Sequence, residues 1–391
     1  MANARVYLDH NATTALRPEA RDALTQALDV VGAASSVHRE GREARKLVEA
    51  AREKVARIVG ARAENVWFTS GATEANNTAL SPRWVARRDG RGCDRSLVSA
   101  IEHASVLNGS RFESSRREML PVTAEGVADV AAWAARLEKI SRAGEKPLVS
   151  LMLANNETGA LEPVRDVAEI VRSAGGLMHC DAAQAAGKVP ISGVALGADL
   201  LSLSSHKIGG PTGVGALVST SDEWHLVEPL IRGGGQERGA RAGTENIAGI
   251  AGFGAAAEAC LRDLAAEAVR LHGLRDRVED AVREAGAVIF AGGVERLPNT
   301  LCFAQPGVPA ETALIALDLA GIAVSSGSAC SSGKVRASHV LKAMGVAAEA
   351  IPGAIRVSLG RTTTVEDVET FLSAWNRLLD SIHGRRKVRA A

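Results

Sequence analysis

The chain has 391 residues, enough for two domains around a large buried core. Its 46 lysines and arginines nearly balance 45 aspartates and glutamates, and the resulting net charge of +1 offers no whole-surface attraction to nucleic acid or to an anionic membrane. Five cysteines form no Cys-x-x-Cys pair and no metal-ligand spacing, and no apolar run reaches about 20 residues, so a cytoplasmic protein with free thiols, no metal and no membrane span is expected.

Short apolar, β-rich runs alternate with helical patterns along the chain, which predicts an α/β fold with a mostly parallel sheet. Between residues 42 and 60, Ala44, Leu47, Val48, Ala51, Val55 and Ile58 recur at spacings of three and four. They mark one face of a helix that Gly60 is placed to end. A strand is predicted over 65–69, and Ser70-Gly71-Ala72-Thr73-Glu74 follows as a tight turn into a helix. Further strands are predicted at 96–100, 148–153, 176–180, 200–204 and 215–219, with helical segments between several of them, including 164–174. A long helical stretch covers 249–285. Beyond it lie strands at 287–291, 300–304, 322–325 and 355–359, and helices at 311–319, 338–344 and 365–383. We place a domain boundary near residue 255. A large domain then spans 14–255, and a smaller α/β domain spans 256–391 with residues 1–13 packed against it. The basic run Arg385-Arg386-Lys387-Val388-Arg389 reads as a solvated tail or as a dock for an acidic partner.

In such sheets ligands bind beyond the carboxyl ends of the strands, and the polar motifs sit there. Lys207 closes the run Leu201-Ser202-Leu203-Ser204-Ser205-His206-Lys207, and Asp181 and Gln184 follow the predicted strand at 176–180. This pairing is what pyridoxal 5'-phosphate requires. The lysine forms a Schiff base, Ser204 and His206 hold the phosphate, and the Asp181 carboxylate keeps the pyridine nitrogen protonated so that the ring acts as an electron sink. A buried, unpaired Asp181 would be costly, and a pyridinium offsets that cost while Gln184 reaches the ring hydroxyl.

Other motifs leave two readings each. Gly71, Ala72 and Thr73 supply backbone amides and a hydroxyl for a phosphate, or simply a capped strand-to-helix turn. His103 is a capping residue, or a flat imidazole that stacks on the pyridine and moves protons. Asn155 is a turn residue, or a hydrogen-bonding partner of cofactor or substrate. Cys180 reads as an inert strand residue. Three consecutive glycines at 233–235, followed by arginines and Thr244, suit a phosphate or an interface, with a surface loop as the alternative. Arg356, inside an apolar strand, needs an ion pair or a substrate carboxylate. Cys330 lies in Ser325-Ser326-Gly327-Ser328-Ala329-Cys330-Ser331-Ser332-Gly333, whose small polar residues make no niche for a buried structural thiol and point to a nucleophile.

Taken in order, Tyr7-Leu8-Asp9-His10-Asn11-Ala12-Thr13-Thr14, Thr69-Ser70-Gly71-Ala72-Thr73-Glu74, Glu102-His103, Asn155-Asn156-Glu157, Asp181 with Gln184, Ser204-Ser205-His206-Lys207, the loop at 233–244, the segment 325–330 and Arg356 span nearly the whole chain. With these motifs the sequence resembles the NifS/IscS-type cysteine desulfurases, in the class V aminotransferase branch of the fold-type I pyridoxal phosphate enzymes. The resemblance implies that Lys207 carries the cofactor and moves the Cα proton, with His103 stacked on the ring. Asp181 and Gln184 then set the cofactor's electronics. Thr73, Ser204 and His206 bind its phosphate, joined by Thr244 from the second subunit of a homodimer, and Asn155 and Arg356 hold the substrate. It further implies that L-cysteine becomes L-alanine, and that Cys330, on a mobile loop, takes the sulfur as a persulfide for iron–sulfur scaffold or other acceptor proteins. One departure stands out: family members often carry Gly-Asn-Pro-Ser or Gly-Asn-Ala-Ser near the N-terminus, where this chain has Gly32-Ala33-Ala34-Ser35. The alternatives are a selenocysteine lyase, which needs the thiol less, and another class V aminotransferase, which needs none.

Overall fold

The computed structural model describes residues 5–326 and 337–390, with side chains to Ile382; Cys330 lies outside the described residues. The helix expected over 42–60 forms as Arg39–Ile58, with Ala44, Val48, Ala51, Val55 and Ile58 buried, and Gly60 takes a φ of 64° just beyond it. It packs, together with Pro18–Leu28, on the long helix Ile247–Glu284.

The main sheet has seven strands in the spatial order Val66–Thr69, Gly215–Ser219, Leu200–Ser204, Leu177–Asp181, Pro147–Ser150, Arg95–Ser99 and Arg117–Leu120. The last five are mutually parallel, and Gly215–Ser219 runs against both of its neighbours. The strands Pro147–Ser150, Leu177–Asp181 and Leu200–Ser204 are buried throughout, as a parallel sheet covered on both faces requires. A second, antiparallel sheet joins Val288–Ile289, Thr300–Ala304, Ala354–Ser358 and Ser325–Ser326.

The single strand expected at 322–325 is two. Ile322–Ala323 pairs in parallel with Val6–Tyr7, whereas Ser325–Ser326 pairs with Ala354–Ser358, so the chain changes partner at Val324. The expected boundary at 255 falls inside the continuous helix Ile247–Glu284. Ile250, Phe253, Ala256, Ala257 and Cys260 of that helix join the core around the main sheet. Leu271, Leu274, Val278 and Val282 join a second core that includes Val6 and Leu8. Among the described residues no helix is long and apolar enough to cross a membrane.

One glycine fixes the approach of the Ser70–Gly71 turn to the sheet. A Cβ on Gly215 would stand 2.5 Å from the carbonyl carbon of Gly71 and 2.7 Å from the carbonyl oxygen of Leu203, both backbone atoms. Gly215→Ala is therefore expected to cost about 1–3 kcal/mol through overpacking, read as a lower melting temperature.

Candidate active site

A cavity of about 400 Å³ opens beyond the carboxyl ends of Leu177–Asp181 and Leu200–Ser204. Gly71, Ala72, Thr73, His103, Asp181, Gln184, Ser204, His206 and Lys207 all line it; Asn155, Thr244 and Arg356 do not. The sheet dictates this grouping. Asp181 and Ser204 are the last residues of adjacent parallel strands, and Gly71 to Thr73 begin the helix that follows Val66–Thr69 at the same end.

Asp181 is buried. Its Oδ1 accepts from the Ala183 amide at 2.9 Å and its Oδ2 from Asn76 Nδ2 at 2.8 Å, so the carboxylate has neutral donors and no cationic partner among the described residues. The second N–H of Asn76 Nδ2 goes to Ser105 Oγ at 2.8 Å, and Ser105 Oγ meets His103 Nδ1 at 2.8 Å. His103 Nδ1 also accepts the Ser105 amide at 3.2 Å, as the cap of the helix Ala104–Leu107. Both the capping role and the cavity position anticipated for this histidine are thus present together. With Nδ1 accepting, the neutral ring carries its proton on Nε2. Burial lowers the His103 pKa, nearby Asp181 opposes that shift, and Lys207 and His339 add to it.

Lys207 Nζ donates to the carbonyl oxygens of Asn11 and, at 2.9 Å, Ala12. Next to it, His206 Nδ1 lies 3.1 Å from Thr13 Oγ1, and burial and then the Lys207 charge push its pKa down to about 4. Gln184 donates through Nε2 to the Asn11 carbonyl at 2.9 Å and accepts at Oε1 from Lys188 Nζ at 2.8 Å.

Three expected residues stand back from the cavity. Asn155 is fully buried and has the turn role: its Oδ1 accepts from the Glu157 and Thr158 amides and its Nδ2 donates to the Ile101 carbonyl. Its neighbour Asn156 lines the wall instead. Arg356, 2% exposed, has the ion-pair role, with Nη2 2.6 Å from Asp9 Oδ1 and Nη1 donating to the Asn156 carbonyl at 2.9 Å, while its buried Nε has no partner among the described residues. Thr244 is exposed and lines a smaller adjoining pocket that shares Ser70, Gly213 and Val214 with the main one.

Residues 6–371 match the aminotransferase class-V family. The chain belongs to that family. Among class V relatives, it is 44% identical over 386 residues to a cysteine desulfurase of Cereibacter sphaeroides, covering 97% of this chain and 96% of the other. Its identity to an IscS-like cysteine desulfurase of Mycobacterium tuberculosis is 40% over 374 residues, covering 94% of each. The solved structure of a NifS-like protein from Rickettsia africae superposes with a TM-score of 0.85 at 34% identity, covering 96% of this chain and 99% of that one.

Four residues around this class V site have roles that no local sequence pattern assigns: Asn11, Asn76, Ser105 and Lys188. The signal for Asn76 was present, as a polar Asn76-Asn77 pair within an otherwise small-residue helix. Its two donated bonds depend on packing between elements that no local pattern encodes.

Proposed function

We infer that this chain is a cysteine desulfurase that uses pyridoxal 5'-phosphate to convert L-cysteine to L-alanine, captures the sulfur on Cys330, and passes it to iron–sulfur scaffold or other acceptor proteins. The carrying observation is that one cavity is lined by Lys207 and by a buried carboxylate, Asp181, that has only neutral donors among the described residues. A carboxylate so placed fits a protonated ring nitrogen, whose charge offsets the burial. Ser204, His206 and Thr73, with the amides of Gly71 and Ala72, would hold the phosphate at the helix start. Thr244 would reach the phosphate of the other subunit in a cytoplasmic homodimer; its exposure and its position beside the main cavity support that reading. The division into units of 14–255 and 256–391 belongs to the same reading.

Bound there, pyridoxal phosphate would supply a sink for the electron pair left at the substrate Cα. Lys207 would hold it covalently and, once released, carry the Cα proton. His103, which lines the cavity with its proton on Nε2, would offer that N–H to the bound group. Asn155 would contribute through the turn that presents Asn156, and Arg356, which among the described residues spends two of its five N–H groups and leaves Nε unpartnered, would bind the substrate carboxylate. As a thiolate, Cys330 attacks the substrate sulfur. The new S–S bond forms as the Cβ–S bond breaks, the electron pair stays with carbon, and a proton completes L-alanine.

The test is L-cysteine turnover with a thiol reductant, with alanine, sulfide and the visible cofactor band recorded together. Equimolar alanine and sulfide are expected. A visible band without either product would overturn the substrate, and no band on adding pyridoxal phosphate would overturn the cofactor. The pH profile gives a second expectation. Because the His103 pKa is depressed, the ring stays neutral down to mildly acidic pH, so the acidic limb of kcat lies below about 6.5, the ordinary imidazole value. That limb should vanish in His103→Gln; an unchanged limb in the variant would assign it to another group.

A further inference from the structure

We propose that Lys188 is a positioning residue that locks the Gln184 amide so that an N–H, and not the carbonyl oxygen, faces the ring hydroxyl of the cofactor. The proposal rests on the pyridoxal phosphate reading of the cavity. It starts from an oddity: Lys188 retains partial exposure where it lines a smaller cavity behind Lys207, yet its Nζ is enclosed by protein. The two charged groups that act on it are Lys207 and Arg356, both of its own sign, and it has no carboxylate partner among the described residues. An amine in that setting is costly, and a residue needed only to fill the space would be better as methionine or leucine.

What Lys188 does is donate. Its Nζ gives one hydrogen bond to Gln184 Oε1 at 2.8 Å and one to Asn11 Oδ1 at 2.9 Å. A glutamine amide has two nearly isosteric orientations, and its partners decide between them. Here Lys188 fixes the oxygen end, because an amine with both bonds spent as donors faces acceptors only. The nitrogen end is fixed independently: Gln184 Nε2 donates to the Asn11 carbonyl at 2.9 Å. Its second N–H has no protein partner among the described residues, and Gln184 lines the main cavity. Asn11 is itself rigidly held. Its backbone N–H donates to Ser358 Oγ and its Nδ2 to Thr300 Oγ1, both at 2.9 Å, and Asn299 Nδ2 reaches its Oδ1 at 3.2 Å.

A donor aimed at the ring oxygen favours the deprotonated oxygen; a carbonyl aimed at it favours the protonated one. Lys188→Met removes the oxygen end of the lock and leaves the Asn11 carbonyl alone to orient the amide, and the pH midpoint of the cofactor band is expected to rise by up to about one unit, the tenfold change that one charge-assisted hydrogen bond supplies. Lys188→Arg retains donors and should keep the wild-type midpoint. In a Gln184→Leu background the Lys188→Met substitution should move the midpoint no further. An unchanged midpoint in Lys188→Met, or an equal shift without Gln184, overturns the proposal while leaving the cofactor reading intact. If Lys188→Met does not fold, Lys188→Ala, which removes the donor with less bulk, is read by the same criterion. A wild type that develops no visible band would instead refute the cofactor reading itself.

Discussion

Cys330→Ala is expected to lose sulfur transfer from L-cysteine by at least about 10³-fold, the scale of deleting a covalent nucleophile, while the protein still takes up its cofactor and turns yellow. Elimination among the thiols supports the assignment. Cys93, Cys180, Cys260 and Cys302 are all buried and free. Burial raises the pKa of each, to about 11 for Cys260 and further for the other three, so none reaches the thiolate form at neutral pH. Cys330 lies four residues beyond Ser326 in sequence, and in the strand Ser325–Ser326 the residue Ser325 pairs with Arg356, which is proposed for the substrate carboxylate. Mild alkylation with iodoacetamide should label one cysteine in the native wild type and none in Cys330→Ala. Wild-type turnover in that variant would remove Cys330 from the chemistry.

Much of this molecule was legible in the sequence because local rules and the fold agree. The strands Leu200–Ser204, Gly215–Ser219 and Thr300–Ala304 lie where β-rich apolar runs predict them, and nine of the expected site residues meet in one cavity. Motifs at strand ends are readable in this way because a parallel sheet gathers the carboxyl ends of its strands. Partner choice is not so readable. Nothing local to residues 322–326 shows that the chain pairs first with Val6–Tyr7 and then with Ala354–Ser358. The sharing of one helix by two cores is unreadable for a related reason: its alanine-rich turns continue without a break from Cys260 to Leu271, where the helix changes core. Asn155 and Asn156 are neighbours of identical type, and only the turn geometry decides which one is spent on the Glu157 and Thr158 amides.

Asp181→Asn is expected to lower kcat by about 10²–10⁴-fold in a protein that still folds. The wild-type carboxylate accepts from the fixed Ala183 amide and from Asn76 Nδ2. A carboxamide at this position keeps its oxygen on the Ala183 amide and turns its NH2 toward Asn76. Asn76 can answer by rotating its own amide, which moves its NH2 to the buried position where its Oδ1 has no partner among the described residues, at a cost of about 1–3 kcal/mol. That oxygen then accepts from both the new amide and Ser105 Oγ, so Ser105 ceases to donate to His103, a loss of about 1 kcal/mol. The fold should therefore survive, with the urea midpoint lowered by a stability loss of about 2–4 kcal/mol. What the rotation cannot restore is the negative charge. Removing one partner of a buried charge pair costs about 3–5 kcal/mol, and the ring nitrogen loses its counter-charge when the reaction most needs it, which converts to the stated loss in rate. The same substitution removes the charge that raises the His103 pKa, so the acidic limb of any residual activity should move to still lower pH. A kcat near wild type with that limb unmoved would show that Asp181 holds the fold and not the ring.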